Sequence, residues 1–136
     1  MTIIVTDNGF STETPIPAFT SLAQLPFHEG ALDLANNDDP TALAPYLIDI
    51  RLIRIEFPSF TDGRGFTLAR RLRMMGYKGR LRARGHVLAD QYAMARRTGF
   101  DEVEISPELA ARQPQEQWLF RADWQAHDHQ SRLRAG

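Results

Sequence analysis

Apolar and polar residues alternate in four short segments of the chain, which begin near residues 31, 51, 80 and 102. Alternation with a period of two places one set of side chains on each face of an extended strand. The pattern therefore predicts four β-strands, at Ala31–Leu34, Arg51–Phe57, Arg80–Arg84 and Glu102–Ile105. A further strand is predicted at Thr2–Thr6, and the stretch after it contains Pro15, Pro17 and Pro26, which indicates irregular loop.

Helical periodicity and helix end signals follow each of the four strands. Asp39 and Ser106, each followed by a proline, are typical of N-caps, and Gly76 is typical of a left-handed helix end. The predicted helices are Pro40–Leu47, Gly65–Met75, His86–Thr98 and Pro107–Arg112. The aromatic residues of Trp118–Trp124 predict a last segment that docks on the core or contacts a second copy.

Strands that alternate with helices pair in parallel through right-handed crossovers. Each predicted strand has one apolar face and one charged face, so we expect helices to cover the apolar face. The charged face is expected to carry Asp33, Arg54, Glu56, Arg82, Arg84 and Glu104. The sequence thus predicts an α/β fold with a mainly parallel sheet, arranged like half of a (β/α)8 barrel. An open flavodoxin-like or Rossmann-like sheet is the alternative.

Length and composition favour one globular domain. The chain has 136 residues, of which 43% are hydrophobic and 24% charged, values typical of a packed domain. We expect a lead-in over residues 1–29, an α/β domain over 30–125 and a polar tail over 126–136. Cysteine is absent, and we find neither a secretory signal nor the roughly 20 apolar residues of a membrane span. A cytoplasmic protein without a membrane partner is therefore expected.

The net charge of −1 conceals an uneven distribution. Residues 64–97 carry nine Arg and one Lys against the single acid Asp90, a net +9, whereas residues 1–63 and 98–136 carry −7 and −3. Such a basic segment indicates either an anionic partner or internal pairing with the acidic flanks. The pI of about 6.4 and the lack of interleaved aromatic residues argue against nucleic acid as a partner.

The loop Thr61–Gly65 joins the strongest predicted strand to its helix, at the carboxyl end of that strand. Ligands bind at this end of parallel strands, and free N–H groups at a helix start suit an oxyanion. We therefore predict ligand binding by Asp62, Gly63, Arg64 and Gly65. In the simpler alternative, Asp62 caps the helix and Arg64 is solvated. The loop matches neither a dinucleotide fingerprint nor a P-loop, so no cofactor is predicted.

A second group, Arg82, Arg84 and His86, lies at the carboxyl end of the next predicted strand. His86 and Asp90 are four residues apart in a predicted helix, so their side chains share one face and form a candidate acid–base pair. In the alternative, Asp90 neutralises Arg82 or Arg84. Gln91, one turn into the same helix, joins the predicted ligand-binding residues.

The carboxylates Asp33, Glu56, Glu104 and Asp62 are the type of ligand that magnesium prefers. The strand between Glu56 and Glu104 supplies only arginines, however, which favours internal ion pairs over a cation site. No metal site is therefore predicted, and Glu56 is retained as a predicted ligand-binding residue.

The middle of the chain contains four characteristic stretches, Phe57–Phe66, Ala69–Arg70, Gly76–Gly79 and Gly85–Gln91. In the same order, they resemble the pattern of a bacterial family, domain of unknown function 934, which runs FPxFxDGRGxSxAR…GYxGxLRAxGDVLxDQ…RxGFD. The resemblance covers about residues 45–105 and is specific, because the matching stretches keep their order.

Members of that family are often encoded beside sirohaem sulfite reductase and other sulfate-assimilation genes, and some are described as oxidoreductases. The resemblance therefore implies a role near sulfite reduction. Two positions depart from the family pattern. His86 replaces an aspartate, which puts an acid role at that position in doubt, and Thr98 replaces a common cysteine, so a thiol mechanism does not carry over.

Together these observations predict an accessory protein of sulfite or sulfate assimilation. It would bind an oxyanion or an acidic partner surface through Arg64, Arg82 and Arg84. A homodimer is expected, because half a barrel leaves a charged face and sheet edges to cover. The alternatives are a small barrel-type enzyme, an oxidoreductase or acid–base catalyst that uses His86 and Asp90, and a structural subunit of the sulfite reductase system. The sequence leaves open whether the protein catalyses a reaction.

Overall fold

A computed structural model describes residues 2–12 and 18–124 of the chain. The predicted polar tail, residues 126–136, lies outside the described residues, as do Pro15 and Pro17. The strands are β1 (Ile3–Thr6), β2 (Gly9–Thr12), β3 (Thr20–Ser21), β4 (Ala31–Leu34), β5 (Leu52–Phe57), β6 (Arg80–Gly85) and β7 (Glu102–Ile105). They form one sheet in the order β2-β1-β7-β6-β5-β4-β3.

Short helices lie between the strands and after the last strand. They are α1 (Arg64–Met74), α2 (Tyr92–Thr98), α3 (Pro107–Arg112) and α4 (Gln115–Leu119), with 3-10 helices at Leu22–Phe27, Pro40–Tyr46 and Ala89–Gln91. Asp39 and Ser106 cap their helices as predicted, since each side chain accepts a hydrogen bond from a backbone N–H of the first turn. None of the helices in the described part of the chain is long and apolar enough to cross a bilayer.

The predicted α/β fold with a mainly parallel sheet is confirmed. Strands β3 to β7 are parallel and neighbour one another in chain order, and β1 joins β7 as one arm of an antiparallel hairpin with β2. The sheet is open and does not close into a barrel, as in the alternative that the sequence left standing. Right-handed crossovers that all advance in one direction place their helices on one face of a sheet.

The core lies between this helix layer and the apolar face of the sheet. Ile53, Ile55, Leu81, Ala83 and Val103 alternate along the three central strands and are fully buried. They form one cluster with the buried residues of the helices, Leu43, Leu68, Ala69, Leu72, Tyr92, Ala95 and Trp118. The prediction of a docked C-terminal segment is confirmed at Trp118, whose indole N–H donates to the Gln113 carbonyl at 2.8 Å.

The opposite face of the sheet carries an arginine–carboxylate network. The strand registers place Asp33, Arg54, Arg82 and Glu102 side by side, with Glu56, Arg84 and Glu104 in the next row. Arg54 Nε lies 2.6 Å from Asp33 Oδ1, and Arg82 Nε lies 2.6 Å from Glu102 Oε2. The predicted charged face is thus present, and its charges pair within the protein.

Glu104 is the centre of this network. Its oxygens lie 3.1 Å from Arg54 Nη1, 2.9 Å from Arg82 Nη1 and 3.3 Å from Arg84 Nε. Arg82 is 1% and Glu104 2% exposed. Burial by itself would lower the pKa of Arg54, but hydrogen bonds and charge from Asp33 and Glu104 outweigh it, so that its pKa is raised.

Besides the pairing of β1 with β7, two contacts that involve side chains fasten the N-terminal hairpin to the rest of the molecule. Asp7, in its turn, accepts a 2.5 Å hydrogen bond from the Tyr92 hydroxyl and pairs with Arg96 at 3.1 Å. At the outer edge, the backbone N–H of Phe10 donates to Gln115 Oε1 at 2.7 Å. This contact occupies one of the N–H groups that an edge strand otherwise offers to another chain.

Two expectations about local structure are wrong. Residues 20–27 contain β3 and a 3-10 helix, not irregular loop, and the predicted helix over His86–Thr98 begins only at Ala89. Leu88 is extended, with φ −86° and ψ 155°, and its N–H is satisfied by the Gln91 side chain at 2.9 Å. Residues 86–88 are therefore not helical, and His86 instead contacts the end of β5 at the Phe57 carbonyl.

Replacing the central carboxylate of the network tests its energetic weight. We expect Glu104→Gln to lower the free energy of unfolding by about 3 kcal/mol, because breaking a buried ion pair leaves buried charge uncompensated. Asp90→Asn breaks an exposed ion pair with Arg121 and should cost less than about 1 kcal/mol. Urea unfolding of both variants measures the difference, and equal losses would contradict a central role for Glu104.

Candidate functional site

The carboxyl ends of the parallel strands lie at one end of the sheet, which we call the carboxyl rim (residues 35–38, 58–63, 86–88 and 106). The exits of β5 and β6 are immediate neighbours there, since Phe57 is the register partner of Gly85. Ligands of open parallel sheets bind at this end. The predicted groups around Asp62 and His86 are therefore on the same rim.

His86 and Gln91 join the loops that follow β5 and β6. The Phe57 carbonyl accepts the backbone N–H of His86 at 2.9 Å and lies 3.2 Å from its ring Nδ1. The His86 ring also packs edge-on against Phe60, with 4.9 Å between centroids. Gln91 Nε2 donates to the Phe60 carbonyl at 3.1 Å. These contacts hold the two loops as one unit, so Gln91 positions the rim.

Asp62 occupies the start of α1 with its own carboxylate. Its Oδ1 accepts from the backbone N–H and Nε of Arg64, at 3.2 and 3.1 Å, and its Oδ2 accepts from Arg64 Nη2 and Asn36 Nδ2, both at 2.8 Å. The Arg64 side chain, followed by the Arg64 N–H and Asn36, holds the pKa of Asp62 far below its ordinary value. This arrangement is the capping alternative considered from the sequence, and it fills the place expected for an oxyanion.

Gly65 is set by packing between α1 and β5. A Cβ at this position would lie 2.5 Å from Cζ of Phe57, whereas a Cβ at Gly63 would meet only Phe66, at 3.8 Å. Phe57 cannot give way easily, because it is buried between Phe66 and Phe100, with ring centroids 4.9 and 5.7 Å away. The glycine therefore lets the helix approach the strand, a role that needs no ligand.

The predicted arginines differ in accessibility. Arg82 belongs to the buried network, whereas Arg84 is half-exposed and lies 3.4 Å from the half-exposed Glu56. Arg64 is 65% exposed even though it pairs with Asp62. Of the three, Arg64 and Arg84 are in reach of a solute at the rim.

The structure does not bring His86 and Asp90 together. Asp90 Oδ1 pairs with Arg121 Nη2 at 2.8 Å, while His86 is exposed and contacts Phe57 and Phe60. Their spacing of four residues would place them on one face only in a continuous helix, and the chain before Ala89 is not helical.

A pocket of about 260 Å³ opens on the rim between the exits of β6 and β7. We call it the rim pocket; it is lined by Phe60, Gly85, His86, Ser106, Glu108, Leu109 and Arg112. Ser106 Oγ accepts from the Leu109 N–H at 3.1 Å, which leaves its hydroxyl proton as a donor. Arg112 is exposed and forms no ion pair with any described residue. From the sequence, Ser106 and Arg112 are recognised only as the two ends of a helix. Predicting them as pocket residues would have required knowing that β7 pairs with β6, so that the two strands end side by side.

Metal chemistry has no built site in the described part of the chain. No three His, Asp or Glu side chains within residues 2–12 and 18–124 gather in a way that could hold an ion. The carboxylates considered for magnesium instead accept hydrogen bonds from arginines of the network and from Arg64 and Asn36.

Fold and site together define an α/β protein with an open, mainly parallel sheet and a small pocket at the carboxyl rim, lined by both polar and apolar residues. The family model described as a bacterial protein of unknown function (DUF934) matches residues 31–132, and the chain belongs to this family. The matched region begins at the first residue of β4 and includes both groups of predicted rim residues. Comparisons with curated proteins and with solved structures give no match.

A matched pair of glycine substitutions separates packing from ligand approach. Gly65→Ala should lower the free energy of unfolding by about 1–3 kcal/mol, because the new methyl group overpacks the site against Phe57. Gly63→Ala meets only an ordinary contact and should change it by less than about 1 kcal/mol. Urea denaturation provides the comparison; a stable Gly65→Ala protein would show that packing does not require this glycine.

Acid titration tests the cap at the start of α1. Because the pKa of Asp62 is lower in the folded protein than its ordinary 3.8, the carboxylate stabilises the fold above that pH and loses this contribution as the pH falls below it. We expect Asp62→Asn to reduce the drop in melting temperature between pH 5 and 2. Asp49→Asn, at an exposed carboxylate with no hydrogen-bond partner among residues 2–12 and 18–124, is the control and should retain the wild-type profile.

Proposed function

We propose that this protein is an accessory binding protein of sulfite or sulfate assimilation, which holds a small oxyanion in the rim pocket. The observation that carries the proposal is that His86 and Arg112 line the same pocket at the carboxyl ends of parallel strands. The assignment to sulfite or sulfate assimilation rests on the family resemblance, and the assignment of oxyanion binding rests on the residues that line the pocket.

The donor set of the rim pocket suits an oxyanion. Arg112 offers a planar guanidinium whose charge is not consumed by a described carboxylate, and guanidinium groups bind oxyanions through paired N–H bonds. A ring nitrogen of His86 can donate a hydrogen bond, and Ser106 adds a hydroxyl proton. Glu108 also lines the pocket, and its negative charge opposes an anion, so binding depends on Arg112 together with the donors of His86 and Ser106.

Arg64 and Arg84 can support binding from the neighbouring part of the rim. Arg64 pairs with Asp62 and Arg84 with Glu56, and both guanidinium groups are partly open to solvent. Arg84 Nε also lies 3.3 Å from the buried Glu104, so Arg84 can turn only its Nη1 side, which faces the half-exposed Glu56, towards a ligand without leaving the network. The predicted use of Arg82 gains no support, because Arg82 is buried in the network.

The rival acid–base mechanism is less favoured by the geometry. His86 lies apart from Asp90, and Asp90 is held by Arg121. An anion-binding role needs only the His86 side chain itself. An acid–base role needs a second proton-transfer group, and the polar side chains that line the rim pocket with His86 and Arg112 are those of Glu108 and Ser106.

Calorimetric titration with sulfite, sulfate and phosphate tests the proposal. We expect binding to the wild-type protein and a loss of about tenfold in affinity for Arg112→Gln, the size of one charge-assisted contact. The control is Arg97→Gln, which removes an exposed cation of α2 outside the rim and should bind as the wild type does. Equal, weak heats from all three proteins would overturn the oxyanion site.

A further inference from the structure

The amino ends of the strands carry a larger cavity than the carboxyl rim. It has a volume of about 760 Å³ and lies beside the starts of β5 and β6, so the length of the sheet separates it from the rim pocket. We call it the amino-end pocket; the residues that matter below are Leu47, Ile48, Met75, Arg51 and Lys78. Its size is in the range of sites for small organic molecules.

One wall of the amino-end pocket is aliphatic. Leu47, Ile48, Ile50 and Met75 line it, and Ile48 is 93% exposed. An apolar side chain this exposed leaves hydrocarbon surface in water, which a bound apolar group would cover. The lining contains no aromatic ring, so the wall suits an alkyl chain better than a flat base.

The remaining wall has an excess of positive charge. Arg80 is matched by Glu102 at 2.8 Å, and Asp101 is matched by Arg73 at 2.9 Å. Arg51 and Lys78 line the same cavity and have no carboxylate partner among the described residues. The cavity therefore retains two positive charges beside its aliphatic wall.

The loop that carries Lys78 is held in place from behind. Arg73 Nη1 donates to the carbonyls of Tyr77 and Gly79, at 2.9 and 2.8 Å. Gly79 packs so closely on Tyr77 that a Cβ there would collide with the phenol oxygen, and Gly76 has φ 98°. A ligand would thus meet a wall that is already ordered, which lowers the entropic cost of binding.

We propose that the amino-end pocket binds a soluble anionic amphiphile, a molecule with an aliphatic chain and a carboxylate, sulfate or phosphate head. The chain lies along Leu47, Ile48 and Met75, and the head is held by Arg51 and Lys78. This site is separate from the proposed oxyanion site at the rim and does not depend on it.

Octyl sulfate, used well below its micelle concentration, is the probe. We expect calorimetry to show one site per chain, and amide resonances of Gly76, Lys78 and Gly79 to shift in nitrogen-15 NMR spectra while those of Gly85 and His86 stay in place. The Arg51→Gln/Lys78→Gln variant should bind at least about tenfold more weakly, because two charge-assisted contacts are lost. Arg70→Gln, at an exposed cation of α1 outside the cavity, is the matched control and should bind normally.

Further ligands separate the contributions of head and chain. Inorganic sulfate and octanol should each compete with octyl sulfate only weakly, since each offers half of the chemistry. Wild-type affinity in the Arg51→Gln/Lys78→Gln variant, shifts centred on the rim, or full competition by inorganic sulfate would overturn the proposal. Binding to vesicles of anionic phospholipid without any response to octyl sulfate would also overturn it, in favour of a membrane surface.

Discussion

The compensation of buried arginines by carboxylates on one face of the sheet is the constraint on which this structure depends. Each strand of the pattern alternates apolar and charged residues, so covering the apolar face with helices leaves the charged residues together on the other. Arg82 and Glu104 are almost fully buried there. A buried charge is tolerable only when it is paired and hydrogen-bonded, and Glu104 meets this demand for Arg54, Arg82 and Arg84 at once.

The network also specifies which residues of neighbouring strands stand side by side. A slip of one residue between β5 and β6 would turn Arg82 into the helix layer and Leu81 onto the charged face, so both faces oppose it. With the register set, Phe57 and Gly85 are neighbours, and the loops after them can share the Phe57 carbonyl and the Gln91 amide. The geometry of the rim is thus a consequence of pairing in the middle of the sheet.

The basic segment of the chain is mostly used inside the fold. Arg73 binds three backbone carbonyls, Arg82 lies in the network, and Arg96 holds Asp7 of the N-terminal hairpin. The internal pairing considered from the sequence therefore accounts for much of the local charge of +9. Among the exposed cations without a carboxylate partner in the described residues, Arg112 lines the rim pocket and Arg51 and Lys78 line the amino-end pocket, whereas Arg70 and Arg97 lie outside both. The two sites are proposed where such a cation lines a cavity.

Local pattern by itself determined the strands from Ala31 to Ile105, the caps at Asp39 and Ser106, the glycine after α1 and the membership of the charged face, because alternation and capping act between residues close in sequence. Tertiary structure decided what these residues do. Whether Arg82 meets a solute or Glu102 depends on which strands pair. Whether Asp62 leaves room for an anion depends on the approach of the Arg64 side chain and of Asn36. Whether His86 reaches Asp90 depends on where the helix begins, and His86 and Gln91 contact the end of β5 and the loop after it. Ser106 and Arg112 become pocket residues only because β7 pairs with β6. The contacts of Arg82 with Glu102 and of Gln91 with Phe60 join residues 20 or more positions apart, and no periodicity along the chain encodes which partner each of these residues takes.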